Sequence, residues 1–177
     1  MIYSLSDLKR YNNKIKCKQE SVAEHMYFCG YILLKLHKYL IITEIEFSQL
    51  LQYILIHDVG EVISGDLPYN VKADSPELHA LVDKIEDDYI IKMGFSDTIE
   101  YMKADNHSHL FKMFKLVDTL QVIQYCKNEL LLGNASKEIK IILDTAIEIC
   151  NKIVNESDEF YFEKNSFDLN EFIETNF

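Results

Sequence analysis

The sequence predicts an all-α fold, and three observations carry that expectation. Only five glycines and two prolines occur in 177 residues, too few for the turns that an all-β or α/β domain of this size would need. Helical start and stop signals recur along the chain. Between them apolar residues return at intervals of three and four, the period of a helix face.

Ser21 with Glu24 forms a capping-box pattern, and behind it Val22, Met26, Cys29, Leu33 and Leu36 trace an apolar face to about Leu40. Thr43 with Glu46 repeats the device. It opens a helix whose run Leu50, Leu51, Ile54 and Leu55 is apolar enough to be central and which is expected to end on His57-Asp58. Ser75-Pro76-Glu77 places an N-cap before a proline at the first helical position, and Gly94 closes that helix. A further helix is expected from about Leu110 to Leu132, with Phe114, Leu116, Leu120 and Ile123 as its core stripe and Gly133 as its stop. Ser136 begins one more, ending near Val154. The tail, residues 157–177, is acidic and carries Phe160, Tyr161, Phe162, Phe167, Phe172 and Phe177. A free acidic tail gains nothing from so many aromatics, so it is expected to pack on the body or on a neighbouring subunit.

A single domain over residues 1–177 accommodates this length, which suffices to bury roughly two-thirds of the unfolded chain's surface. Hydrophobic residues make up 48% and charged residues 27%, ordinary globular usage. With 29 acidic against 18 basic side chains, the net charge of −11 argues against binding a nucleic-acid polymer. Any phosphate-bearing ligand must be met locally, by a metal or a few cations. The cysteines at 17, 29, 126 and 150 form no CxxC pair, so they read as reduced thiols rather than a zinc ribbon or disulfide framework. Neither a signal-length apolar stretch at the start nor a run of about 18 apolar residues occurs. The cytoplasm is therefore the expected location, of a bacterium or of a host cell if the gene is phage-borne.

His57-Asp58 follows the apolar run Tyr53-Ile54-Leu55-Ile56, where an unpaired histidine and carboxylate would cost several kcal/mol. They need a partner. A divalent metal satisfies both, because neutral imidazole and carboxylate oxygen are ligands suited to manganese, iron, cobalt, zinc or magnesium. His25 and Asp118 also sit in apolar helical stretches where a solvated polar residue is unexpected. Each has a bland reading as a satisfied core residue, but the set is harder to dismiss. An HD dipeptide alone is weak; its specificity comes from an upstream EH, an HDxxE, a GDLP turn and a downstream buried aspartate in that order.

With those motifs in place the sequence resembles the bacterial HD-domain 5′-deoxynucleotidases of the YfbR type. The matching stretches are Arg10-Tyr11, Ser21-Val22-Ala23-Glu24-His25, His57-Asp58-Val59-Gly60-Glu61-Val62, Ser64-Gly65-Asp66-Leu67-Pro68 with Val71-Lys72, and Lys115-Leu116-Val117-Asp118-Thr119-Leu120. The resemblance covers about residues 8 to 134, and the chain departs from the family after Gly133. It implies an HD-domain helical bundle around a buried metal site held by His25, His57, Asp58 and Asp118. It makes Glu61 the catalytic carboxylate, which phosphoryl chemistry requires to orient and deprotonate the attacking water or to protonate the leaving oxygen. Asp66 has a bland reading as turn chemistry; the resemblance places it at the substrate. Arg10 and Lys72, otherwise ordinary solvated surface charges, become phosphate contacts by the same resemblance. Tyr11 falls where the family carries a tryptophan beside the nucleoside, keeping an aromatic face on a smaller ring.

The expected activity is hydrolysis of a 5′-deoxynucleoside monophosphate to deoxynucleoside and phosphate. The alternative uses the same site on a triphosphate, as in small phage-encoded deoxyadenosine triphosphatases that resemble this domain. A non-catalytic nucleotide-binding protein is the third reading, weakened by the presence of all four ligands and Glu61. Cyclic-nucleotide phosphodiesterase chemistry asks for more histidines in motif positions. His107 and His109 read as loop and N-cap residues, and His37 and His79 as exposed helix positions. A homo-oligomer, dimer or hexamer, follows from the resemblance and from the aromatic tail.

Overall fold

The computed structural model describes residues 2–68, 71, 74–156, 162 and 167–177. A 3₁₀ turn at Ile2–Ser6 precedes α1 (Val22–Leu36), α2 (Glu44–Ile54), the one-turn α3 (Glu61–Ser64), α4 (Pro76–Lys92), α5 (Ser96–Lys103), α6 (Ser108–Leu131), α7 (Lys137–Glu156) and α8 (Leu169–Asn176). Among the described residues the only β pairing is two isolated bridges, Lys9 with Ser21 and Leu40 with Phe162.

Helix ends lie where the capping chemistry puts them. Ser21 Oγ accepts from the Glu24 amide at 3.2 Å while Glu24 accepts from the Ser21 amide at 2.8 Å, and Thr43 with Glu46 repeats both distances. At the C-terminus of α6, the Gly133 amide bonds the Leu130 carbonyl at 3.0 Å and the Asn134 amide the Glu129 carbonyl at 2.9 Å. That double closure needs a left-handed residue, and Gly133 has φ 92°. Gly94, φ 97°, closes α4 with the same pair of bonds. At the start of α4, Pro76 takes the first helical position as expected, but the Ser75 side chain makes no capping bond.

The expected apolar faces form the core. Val22, Met26, Cys29, Leu33 and Leu36 of α1 are all buried, as are Phe114, Leu116, Leu120 and Ile123 of α6. Helix α6 packs against α1, α2, α5 and α7, which is why its sequence is apolar on more than one side. At the other end of the chain, Asp168 caps α8 by accepting from the Glu171 amide at 2.9 Å. Leu169, Phe172 and Ile173 are buried, and Phe167 and Phe172 meet the Tyr39 ring at centroid distances of 5.4 and 6.3 Å. Phe160 and Tyr161 lie outside the described residues.

Three expectations are corrected. His57-Asp58 does not end a helix, because α2 stops at Ile54 and residues 55–60 form successive turns before Glu61 opens α3. The His57 amide still bonds the Tyr53 carbonyl, four back, but Val59 and Glu61 bond only three back, to Ile56 and Asp58. This tightening releases the HD pair from the helix path, and it leaves Leu55 exposed rather than central. The second correction is α5, whose polar Ser-Asp-Thr start and short length hid it. The third is His37, half-buried and stacked on Phe47 at 4.0 Å rather than exposed.

Candidate metal centre

Helix α1 carries His25 into the interior, the α2–α3 turn brings His57 and Asp58, and α6 supplies Asp118. His25 Nε2 lies 3.2 Å from Asp118 Oδ1 and 3.5 Å from Asp58 Oδ2, and His57 Nε2 lies 3.3 Å from Asp58 Oδ2. The two rings stand edge to face at 5.4 Å. His25, His57 and Asp58 form one group able to hold a metal ion, and His25, Cys29 and Asp118 form another. Cys29, one turn after His25 and with its sulfur 3.7 Å from both ring nitrogens, was not foreseen as a neighbour of the centre.

The donor set fits a metal for a reason visible in the hydrogen bonds. His57 donates Nδ1–H to the Ile54 carbonyl at 2.8 Å, which leaves Nε2 as a bare lone pair, buried and with no hydrogen-bond partner. His25 donates Nδ1–H to Gln121 Oε1 at 2.7 Å, which leaves its Nε2 unprotonated as well, against Cys29 Sγ at 3.7 Å and Asp118 Oδ1 at 3.2 Å. Both imidazoles thus present Nε2 toward carboxylates, the tautomer that coordination requires. Burial opposes ionisation of Asp58, but the proximity of His57, His25 and Arg10 outweighs that and holds the carboxyl well below its usual range. Asp118 is likewise held low, burial being outweighed by His25. For His57, burial opposes the charge and Asp58 favours it, and the balance raises its pKa; for His25, burial and Arg10 prevail and lower it. An anionic cluster around two bare nitrogens calls for a cation.

Glu61 stands next to this centre with different chemistry. It is buried, its Oε2 has no hydrogen-bond partner, and burial, reinforced by the charges of Asp58 and Asp66, pushes its pKa well above the carboxylate range. Asp66, half-buried in the turn after α3, is therefore within electrostatic reach of Glu61. Lys72 lies outside the described residues.

Arg10 comes within electrostatic reach of the centre on an N-terminal segment, shared with Tyr11, that the body holds firmly. The Arg10 amide bonds the Glu20 carbonyl at 2.9 Å. Fully buried Glu129 of α6 accepts from the amides of Cys17 and Lys18 at 2.6 and 2.7 Å, and the Tyr125 hydroxyl donates to the Lys18 carbonyl at 3.1 Å. Tyr11 adopts φ 57°, uncommon for a residue with a side chain, while its ring stacks on Tyr125 at 4.3 Å. Arg10 Nη1 lies 3.4 Å from Gln121 Oε1 and 3.9 Å from Glu20 Oε2, close enough to the centre to feel Asp58 and Asp118. The sequence reading missed Gln121 and Glu20; a glutamine three residues past Asp118 in an apolar helix was the signal available. The remaining histidines serve locally, His109 on Glu46 at 2.8 Å and His107 on the Tyr101 carbonyl at 2.9 Å.

No helix among the described residues is long and apolar enough to cross a membrane. No curated protein matches the chain by sequence. Among solved structures it is similar to the cyanophage S-2L HD phosphohydrolase DatZ, a structure bound to dA and one catalytic Zn²⁺ ion. The two share 16% identity, and the match covers 87% of this chain and 95% of that one with a TM-score of 0.58. The sequence model of the YfbR-like 5′-deoxynucleotidases matches residues 1–164, so the likeness runs on past Gly133, where the sequence reading had ended it, and takes in all of α7. By that match the chain belongs to the YfbR-like 5′-deoxynucleotidase family of HD-domain phosphohydrolases.

Proposed function

We propose that the chain hydrolyses the phosphate ester of 5′-deoxynucleoside monophosphates, releasing deoxynucleoside and orthophosphate, with a divalent ion held by His25, His57, Asp58 and Asp118. One observation supports this above all: two bare imidazole nitrogens and two low-pKa carboxylates converge, and a carboxyl of opposite character, Glu61, stands beside them. Bound there, the ion would polarise a phosphoryl oxygen and acidify water. Cobalt, manganese, zinc, magnesium and iron all suit the donor set.

Glu61 holds a proton at neutral pH because its surroundings disfavour the anion. A cation among the neighbouring carboxylates would draw its pKa back toward neutrality, where transfer of that proton to the departing 5′-oxygen is most effective. Asp66 helps keep Glu61 protonated and is proposed to contact the substrate. Arg10 is the cation placed for a phosphate oxygen, and Tyr11, backed by Tyr125, offers one aromatic face to the nucleoside. Lys72 is proposed as a second phosphate contact.

A second reading is hydrolysis of a deoxynucleoside triphosphate such as dATP at the same centre; dA, bound in the similar DatZ structure, is the nucleoside that either reaction releases. Phosphate and triphosphate release across all dNMPs, dNTPs and rNMPs, with Mn²⁺, Co²⁺, Zn²⁺ and Mg²⁺ compared, separates the two. Glu61→Gln should retain metal and nucleotide binding and lose roughly 10² to 10⁴ in turnover. Loss of metal along with activity would make Glu61 a ligand instead. The protein is also proposed to act as a homo-oligomer, at least a dimer, since Tyr27, Tyr31 and Leu34 leave apolar surface on the outer face of α1.

A further inference from the structure

We infer that Gln121 and Glu20 are positioning residues, which set the tautomer of His25 and tie that ring to Arg10. Gln121 is 1% exposed and Glu20 6%, so neither can satisfy its hydrogen bonds with bulk water. Gln121 Nε2 donates to Glu20 Oε1 at 2.6 Å. That bond fixes which end of the amide faces forward, and the end facing forward is the oxygen. It accepts from His25 Nδ1 at 2.7 Å and from Arg10 Nη1 at 3.4 Å. Were the amide reversed, two N–H donors would face Nδ1, and the imidazole proton would move to Nε2, the atom proposed to coordinate.

His57 faces no such risk, because its Nδ1–H goes to the Ile54 backbone carbonyl, which no side-chain change removes. The tautomer of His25 depends instead on a side chain, and that side chain depends on Glu20. Arg10 shares the arrangement twice, through Gln121 Oε1 and through Glu20 Oε2 at 3.9 Å. The residue placed for phosphate and a residue placed for metal therefore hang on one amide oxygen. Disturbing it should change metal affinity and KM together, by two separate contacts.

This inference rests on the reading of His25 as a metal ligand, so the test includes His25→Ala. Metal affinity for Mn²⁺ is measured by calorimetry for the parent, His25→Ala, Gln121→Leu, Glu20→Ala and the exchange Glu20→Gln/Gln121→Glu. The His25 ring nitrogens are read by ¹⁵N NMR in metal-free protein. Gln121→Leu and Glu20→Ala should each lose about 10- to 100-fold in metal affinity, the usual effect of removing the group that orients a ligating histidine. Their spectra should show protonated Nε2, and KM should rise at saturating metal. The exchange keeps side-chain volumes and restores an oxygen facing His25 with an amide behind it, so affinity should return to within about threefold of the parent. Because the exchange preserves packing, it decides the matter even if Gln121→Leu fails to fold. Parent-like affinity in Glu20→Ala and Gln121→Leu, with affinity lost in His25→Ala, would overturn the inference alone. Parent-like affinity in His25→Ala would overturn it together with the metal-site reading.

Discussion

Gly60→Ala should be disproportionately harmful for so small a change. Gly60 lies between Asp58 and Glu61 with φ −62° and ψ −25°, a helical conformation in which alanine is ordinarily preferred by about 0.5–1 kcal/mol. The obstacle is space. A Cβ there would stand 2.5 Å from both Cα and Cβ of Glu86 on α4 and 2.8 Å from its carbonyl oxygen. Ordinary contact begins near 3.4 Å, so α3 and α4 must part by about 0.9 Å, against a Ser64–Glu86 hydrogen bond that crosses the same interface. Overpacking costs typically ~1–3 kcal/mol. The upper end applies because two of the obstructing atoms are backbone. After the helical preference for alanine is set against it, about 2 kcal/mol of destabilisation remains, or a fall of about 4–8 °C in Tm for a chain of this size. The same displacement moves Glu61 against the metal ligands, and a shift of about 1 Å at a catalytic group costs on the order of 10² in turnover. Thermal unfolding and phosphate release at saturating metal measure the two effects. A variant within about 1 °C and about twofold of the parent would show that α3 and α4 separate freely, and the steric argument would be wrong.

Asp118→Ala should abolish stoichiometric metal and activity while leaving helical content near that of the parent, checked by elemental analysis and far-ultraviolet circular dichroism. Metal affinity should fall with decreasing pH, and the onset should come at or above about pH 6.5, because Asp58 raises the pKa of His57 and protonated imidazole cannot ligate. Burial pushes Glu20 up to about 7 from 4.5, so its ionisation weakens the fold. The stability present below pH ~4.5 is lost progressively up to pH ~7, by at most about 3 kcal/mol. Glu20→Gln keeps an oxygen for Gln121 and should flatten that part of the pH–stability curve by urea titration; an unchanged slope would acquit Glu20. Light scattering at micromolar concentration should give a mass of at least a dimer, and a monomeric mass would refute the proposed assembly.

The sequence by itself determined the helices whose ends are written in local chemistry. The capping boxes at Ser21 and Thr43 and the closures at Gly94 and Gly133 need only neighbours within six residues, so they are legible without the fold. The order of EH, HDxxE, GDLP and Asp118 likewise marked the residues of the candidate centre, since polar groups in apolar helices must find partners somewhere. Other features depended on contacts between residues far apart in the chain. The release of His57-Asp58 from α2 comes with the tighter three-back bonds of the α2–α3 turn, which periodicity does not record. Glu129 tying down Cys17 and Lys18, and Gln121 joining His25 to Glu20 and Arg10, bridge about a hundred residues each. A buried glutamine or glutamate in a helix reads the same whether it meets a backbone amide or a metal-binding imidazole. Only tertiary structure decides which, because the hydrogen bond that gives it meaning is made to a distant part of the chain.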